Sequence, residues 1–136
     1  MLVREIMSRN VKTLGRNDKL SAVGDLMKVD RIRHMPIIDE QGGVVGIVSQ
    51  RDLFLSGLVR ALGFWTSATE KVLDSLLVKE IMTKDVVTTT PDTPLSEAAL
   101  VMCDIKIGCL PVVEGSALFG ILTEGDFVAA TAQAGD

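Results

Sequence analysis

Apolar residues recur along this chain in two rhythms, and the rhythms come in the same order twice. Leu20, Val23, Leu26 and Met27 stand three and four apart among polar neighbours, the spacing that lays one face of a helix on a core. Leu95, Ala98, Val101, Met102 and Ile105 repeat that spacing. Each helix is followed by two short apolar runs, Met35–Ile38 with Val44–Val48 and Cys109–Val113 with Leu118–Leu122. Gly42–Gly43 and Gly115–Ser116 supply the turns, so each pair predicts a hairpin. Upstream of each helix, a short helical turn (Leu2–Met7, Val78–Met82) leads to a brief strand (Val11–Thr13, Val86–Thr89). Asp18 and Thr93 are the expected N-caps, with Pro94 at a first helical position, and a last helix begins near Gln50 or Glu124. The pattern predicts an α/β (α+β) fold of two pseudo-twofold-related repeats, each a small three-stranded sheet packed with helices.

The repetition extends to identities. With Val3–Asp39 laid over Val78–Glu114, an offset of 75, eleven of 37 positions match, among them Glu5/Glu80, Met7/Met82, Thr13/Thr88 and Pro36/Pro111. After a one-residue gap, Gly46–Asp52 (GIVSQRD) faces Gly120–Asp126 (GILTEGD) at an offset of 74. Two long copies do not make a solenoid, which stacks three or more short repeats. The expected organisation is a first repeat at 1–62, a linker at 63–76 and a second repeat at 77–136. The linker holds Phe64 and Trp65, and its apolar character predicts packing against the core or a second subunit.

Composition narrows the class. With 47% hydrophobic and 24% charged residues, the 136-residue chain has the balance of a globular protein rather than a disordered one. Its formal charge of −4 offers no long-range attraction to nucleic acid or anionic lipid. The mean hydropathy is positive, +0.34, yet the greasiest stretch, Leu53 to Trp65, is broken by Ser56, Gly57 and Arg60. That is too short for a membrane span of about 18 apolar residues. The first ten residues carry Arg4, Glu5 and Arg9 where a signal peptide needs an apolar run, so a cytoplasmic location is expected. Cys103 and Cys109 are expected to be reduced and buried.

The motifs I-M-[ST]-x-x-V-x-T, then an apolar-Pro-apolar-apolar run, then G-h-h-[ST]-x-x-D, with h an apolar residue, each occur twice, in order and in register. Together they resemble a tandem pair of CBS domains (cystathionine-β-synthase domains), a Bateman module, over nearly the whole chain apart from the linker and a short tail. The resemblance implies a non-enzymatic regulatory module; many members are attached to an enzyme or channel, and this chain looks like a stand-alone member. It would bind AMP, ADP, ATP or S-adenosylmethionine, sometimes NAD, in clefts between repeats, and would dimerise into a flat disc of four repeats.

It also assigns candidate ligands. Ser49 with Asp52, and Thr123 with Asp126, stand where the family holds ribose and phosphate. The same spacing at a helix start is a capping box that requires no ligand. The two roles are compatible, because a helix N-terminus with free N–H groups is a natural phosphate site. A carboxylate there can also accept hydrogen bonds from both ribose hydroxyls. Pro36 and Pro111, each expected to open a strand, would leave backbone beside Met35 and Leu110 to face an adenine edge, unless they are ordinary edge prolines. Thr13 and Thr88 could bond the base or simply be strand residues. Arg33 and His34 stand where the family often places phosphate cations; Arg33 is the better clamp, and His34 could equally be a structural histidine. The second copy has Gly108 and Cys109 in their places, with Lys106 the nearest cation, so its phosphate binding is in doubt.

Enzyme chemistry has no visible seat: there is one histidine, no nucleophile constellation, no P-loop and no metal-ligand cluster. No cofactor is expected to be required; an adenine nucleotide is expected as a regulatory ligand. The expected partners are an adenosyl small molecule, a second copy in a homodimer, and a regulated protein that the sequence does not name. The competing expectation is a ligand-independent dimeric scaffold.

Overall fold

The computed structural model describes residues 1–54 and 73–134. Most of the expected linker (63–72, with Phe64 and Trp65) lies outside the described residues, as do Leu55 and Leu58. The chain forms two compact units: Lys12–Val86, called here the Asp52 unit, and Val87–Asp136 together with Met1–Val11, the Asp126 unit.

In the Asp52 unit, helix α1 (Leu20–Asp30) leads to antiparallel strands β1 (His34–Ile38) and β2 (Val44–Ser49), and residues 50–54 are helical. The Asp126 unit carries α2 (Leu95–Ile105), the hairpin β3 (Cys109–Glu114) and β4 (Ala117–Thr123), and α3 (Glu124–Ala134). The helical spacing buries Leu20, Val23 and Met27 in one unit and Ala98 and Met102 in the other. Ile105, expected on the core face, lies at the end of α2 and is 48% exposed.

Among the described residues, each sheet has two strands. The expected third strand is reduced to one parallel bridge, Leu14 with Ile37 and Thr89 with Val112. Thr13 and Thr88 therefore precede the bridging residue and do not end a strand. Pro36 and Pro111 do not open their strands either. Each is the third residue and is fully buried. In β3, the Pro111 carbonyl accepts from Thr89 N–H, and Val113 N–H donates to the Thr89 carbonyl, both at 2.9 Å. This alternate set of backbone groups faces residue 89 and not β4, so the missing proline N–H removes no hairpin hydrogen bond.

Each unit is completed by a segment from beyond its own repeat. The 3-10 turn Val3–Glu5 buries Val3 and Met7 in the core built by α2, β3 and β4. The turn Val78–Glu80 buries Val78 and Met82 with α1, β1 and β2. Burying such a side chain is worth about 1.5–3 kcal/mol. The shared glutamates hold the turns: Glu5 Oε2 accepts from Leu2 N–H at 2.5 Å, and Glu80 Oε2 from Leu77 N–H at 2.8 Å.

The same segments explain why the expected caps differ. Leu20 N–H, the first of α1, donates to the Leu76 carbonyl at 2.8 Å, and Leu95 N–H, the first of α2, donates to the Met1 carbonyl at 2.8 Å. Backbone thus satisfies a donor that a side-chain cap would serve. Lys19 and Pro94 take the N-cap positions, so Pro94 lies one residue before the helix. Asp18 instead accepts from Gly15 N–H at 2.6 Å, and the Thr93 hydroxyl pairs with that of Thr90 at 2.7 Å.

Candidate functional site

The end of each hairpin gathers the chemistry. In the Asp52 unit, His34 pairs with Ser49 across the hairpin, and Gln50 N–H donates to the Arg33 carbonyl at 2.7 Å. Arg33, His34, Ser49 and Asp52 therefore meet where β2 becomes helix. A full capping box closes that junction: Asp52 N–H donates to Ser49 Oγ and Ser49 N–H to Asp52 Oδ2, each at 3.0 Å. Among the described residues, Oδ1 of Asp52 accepts no hydrogen bond. Arg33 is exposed, and His34 and Asp52 are half-buried.

The Asp126 unit repeats the frame with other contents. Cys109 pairs with Thr123, and Glu124 N–H donates to the Gly108 carbonyl at 3.2 Å. Only half of the capping box forms. Thr123 N–H donates to Asp126 Oδ2 at 2.8 Å, but the Thr123 hydroxyl turns to the same oxygen at 3.2 Å and accepts nothing from the helix. The other oxygen, Oδ1, accepts from Ser8 Oγ at 2.8 Å. Where the first unit has His34, this one has Cys109, only 6% exposed, whose thiol is pushed up from 9.0 to about 12 by burial, with Glu124 adding to it. The expectation that both cysteines are buried holds for Cys109 alone; Cys103 is exposed on α2.

The remaining expected positions lie on the same strands. Met35 and Leu110 are buried with their side chains in the cores, and Pro36 and Pro111 follow them. Residue 13 lies next to the Leu14 bridge to β1, while Thr88 is exposed beside the Thr89 bridge to β3.

Two contacts carry no local sequence signal. The glycine that opens GIVSQRD and GILTEGD makes room for the exchanged segment. A Cβ at Gly46 would run into Met82 Sδ, and one at Gly120 would meet the Ser8 carbonyl oxygen at 2.8 Å. The second is the Ser8–Asp126 bond. The backbone of Ser8 pairs in both directions with Ile121 at 2.9 Å, and Arg9 lies 5.3 Å from the centre of the Phe119 ring. The I-M-[ST] motif contained this serine, and the offset of 75 pairs it with Thr83, but nothing in the pattern pointed to Asp126.

The CBS domain profile matches twice, over residues 3–57 and 78–132, and the chain belongs to the CBS domain family. Solved structures agree with that assignment. A Vibrio cholerae protein described as an acetoin utilization protein (AcuB) is 35% identical with a TM-score of 0.82, covering 98% of this chain and 92% of its own. CBSX2, solved with AMP, is 25% identical with a TM-score of 0.80, covering 99% and 98%. The CBS pair of protein MJ0100, solved with 5-methylthioadenosine and S-adenosyl-L-methionine, is 27% identical with a TM-score of 0.78, covering 98% of each chain. Among curated relatives, the homoserine O-acetyltransferase of Methanohalophilus mahii is 34% identical over 124 residues, 90% of this chain, which spans 23% of that protein's length. No helix among the described residues is long and apolar enough to cross a membrane, and no cluster of three or more His, Cys, Asp or Glu among them could hold a metal.

Proposed function

We propose that this chain is a non-catalytic regulatory module that binds an adenine nucleotide, AMP, ADP or ATP, or S-adenosylmethionine, with the Asp52 unit as its principal site. The observation that carries the reading is the half-buried Asp52 carboxylate, fixed by its capping box with Oδ1 accepting no hydrogen bond among the described residues, at the hairpin end that also carries Arg33 and His34. An open carboxylate oxygen suits a ribose hydroxyl, and a neighbouring guanidinium suits a phosphate. The AMP and S-adenosyl-L-methionine complexes of related CBS pairs support the ligand class. Thr13 and the backbone beside Met35 and Pro36 would face the base, with Thr88, the backbone beside Leu110 and Pro111, Thr123 and Asp126 the matching set in the other unit. The module requires no cofactor, works in the cytoplasm and signals to a regulated protein. Calorimetric titration with AMP, ATP and S-adenosylmethionine tests it. Saturable heat without release of phosphate or adenine over hours supports the reading, and turnover or silence with all three ligands sinks it.

A homodimer belongs to the same reading. Leu100 on α2 is 62% exposed and Val128 on α3 is 70% exposed, and α3 has no buried residue. Apolar helical surface of this kind favours a subunit interface. These faces also favour the second reading, a dimeric scaffold acting by contact, because the Asp126 carboxylate is satisfied without a ligand. A mass near 15 kDa by light scattering at micromolar concentration would count against both forms of assembly.

A further inference from the structure

The two carboxylates differ in how many further hydrogen bonds they can accept. An ionised carboxylate offers about four acceptor positions, two on each oxygen. At Asp126, Oδ2 already takes the Thr123 N–H at 2.8 Å and the Thr123 hydroxyl at 3.2 Å, and Oδ1 takes the Ser8 hydroxyl at 2.8 Å. About one position is left, and a ribose diol donates two bonds. At Asp52, among the described residues, only Ser49 N–H is accepted, at Oδ2, which leaves the diol room on both oxygens.

Ser8 is exposed, but its backbone is fixed. Its N–H and carbonyl both pair with Ile121 at 2.9 Å, and its carbonyl rests where a Cβ at Gly120 would lie 2.8 Å away. Thr83 makes the same backbone pairing with Ile47, at 3.0 and 2.9 Å, yet among the described residues its hydroxyl makes no bond to Asp52. The branched threonine is stiffer at χ1 than serine, and here the shared backbone frame delivers a different side-chain bond.

The geometry points to Ser8 as the residue that sets sugar selectivity in the Asp126 unit, by occupying the acceptor position that a second ribose hydroxyl would use. This rests on the reading of both units as adenosyl-ligand sites. The Asp126 unit then holds the sugar through a single hydroxyl and accepts ribose and 2′-deoxyribose alike, while the Asp52 unit prefers ribose. Ser8 acts through Asp126, as a positioning residue.

The test compares AMP with 2′-deoxy-AMP by calorimetry on the full chain. In Asp52→Ala, the remaining site should bind the two within about twofold of each other. Adding Ser8→Ala should open the acceptor position and favour AMP by about tenfold, the effect of one hydrogen bond to a charged group. Binding that emerges only in the double variant supports the assignment too. Thr83→Ala should leave the ratio unchanged. Should Asp52→Ala fail to fold, Asp52→Asn keeps an acceptor for the Ser49 N–H and carries the same comparison. An unchanged ratio after Ser8→Ala overturns the proposal, as does loss of AMP binding in a variant that still melts normally, or absence of binding in both backgrounds. If the unaltered chain binds no AMP, the nucleotide reading itself has failed. If it binds AMP and only the ratio is unmoved, Ser8 alone has been misassigned.

Discussion

The Asp52 and Asp126 units share one frame and diverge at the hairpin end. In both, a buried proline is the third residue of the inner strand, a glycine admits the exchanged segment, and an aspartate opens the following helix. The Asp52 unit spends its serine on a capping box and leaves a carboxylate oxygen open beside Arg33. The Asp126 unit occupies both oxygens with Thr123 and Ser8, leaving about one acceptor position, and has Gly108 in place of the cation. Duplication thus preserved what folds the unit and not what would face a ligand. A matched motif is a statement about backbone first.

The largest expected separation between the units is in packing. At Gly120, an added Cβ meets the Ser8 backbone oxygen, which cannot swing aside, whereas at Gly46 it meets mainly the end of the flexible Met82 side chain. Gly120→Ala should destabilise by about 3 kcal/mol and Gly46→Ala by about 1–2 kcal/mol, read from denaturant midpoints. Equal losses would mean that the two segments are held alike.

Ligand affinity should separate them next. Asp52→Ala should weaken AMP by tens-fold, about 2 kcal/mol, and Asp126→Ala by less than about threefold. Either change also removes part of a helix cap, about 1 kcal/mol, so melting is followed in parallel. The reverse order of effects would move the principal site to the Asp126 unit.

A third contrast is Cys109 against His34 at matching places. The folded thiol titrates near 12 against an ordinary 9.0, so the native state keeps a proton that the unfolded chain releases. Stability should therefore fall as pH rises from about 9 towards 12. Cys109→Ala should remove that component of the slope, and below pH 9 the two proteins should respond to pH in parallel. In the native protein, Cys103 should react with a thiol reagent well before Cys109 does.

The smallest effect is one in which the units should agree. Arg31 and Lys106 close α1 and α2 in the left-handed conformation, at φ 54° and 55°. Arg31→Gly and Lys106→Gly should each change stability by about +0.5–1 kcal/mol, and equally, by thermal melting. Unequal values would show that one of these cations has a further contact to lose.

Much of this was legible in the sequence. The hairpins, helices α1 and α2, the repeat and the Ser49/Asp52 junction follow from periodicity and spacing, because those features are local. The caps were misread because Leu20 and Leu95 find acceptors at Leu76 and Met1, far along the chain. Periodicity marks Val3, Met7, Val78 and Met82 as apolar without saying which core receives them. The single-bridge third strand left too few paired residues for a strand pattern, and Ser8 reaches Asp126 across 118 residues with no spacing to announce it.

That long reach also orders the protein in time. A ribosome adds roughly 5–20 residues per second, so Met1–Val11 emerges about 5–20 s before β4 and α3, which it must join. During that interval Val3 and Met7 have no core to enter. Lys12–Val86, by contrast, is one unbroken stretch whose last-made segment completes it, and it can close while the remainder is still being translated. The Asp52 unit is thus ready first, and the other waits to rejoin Met1–Val11.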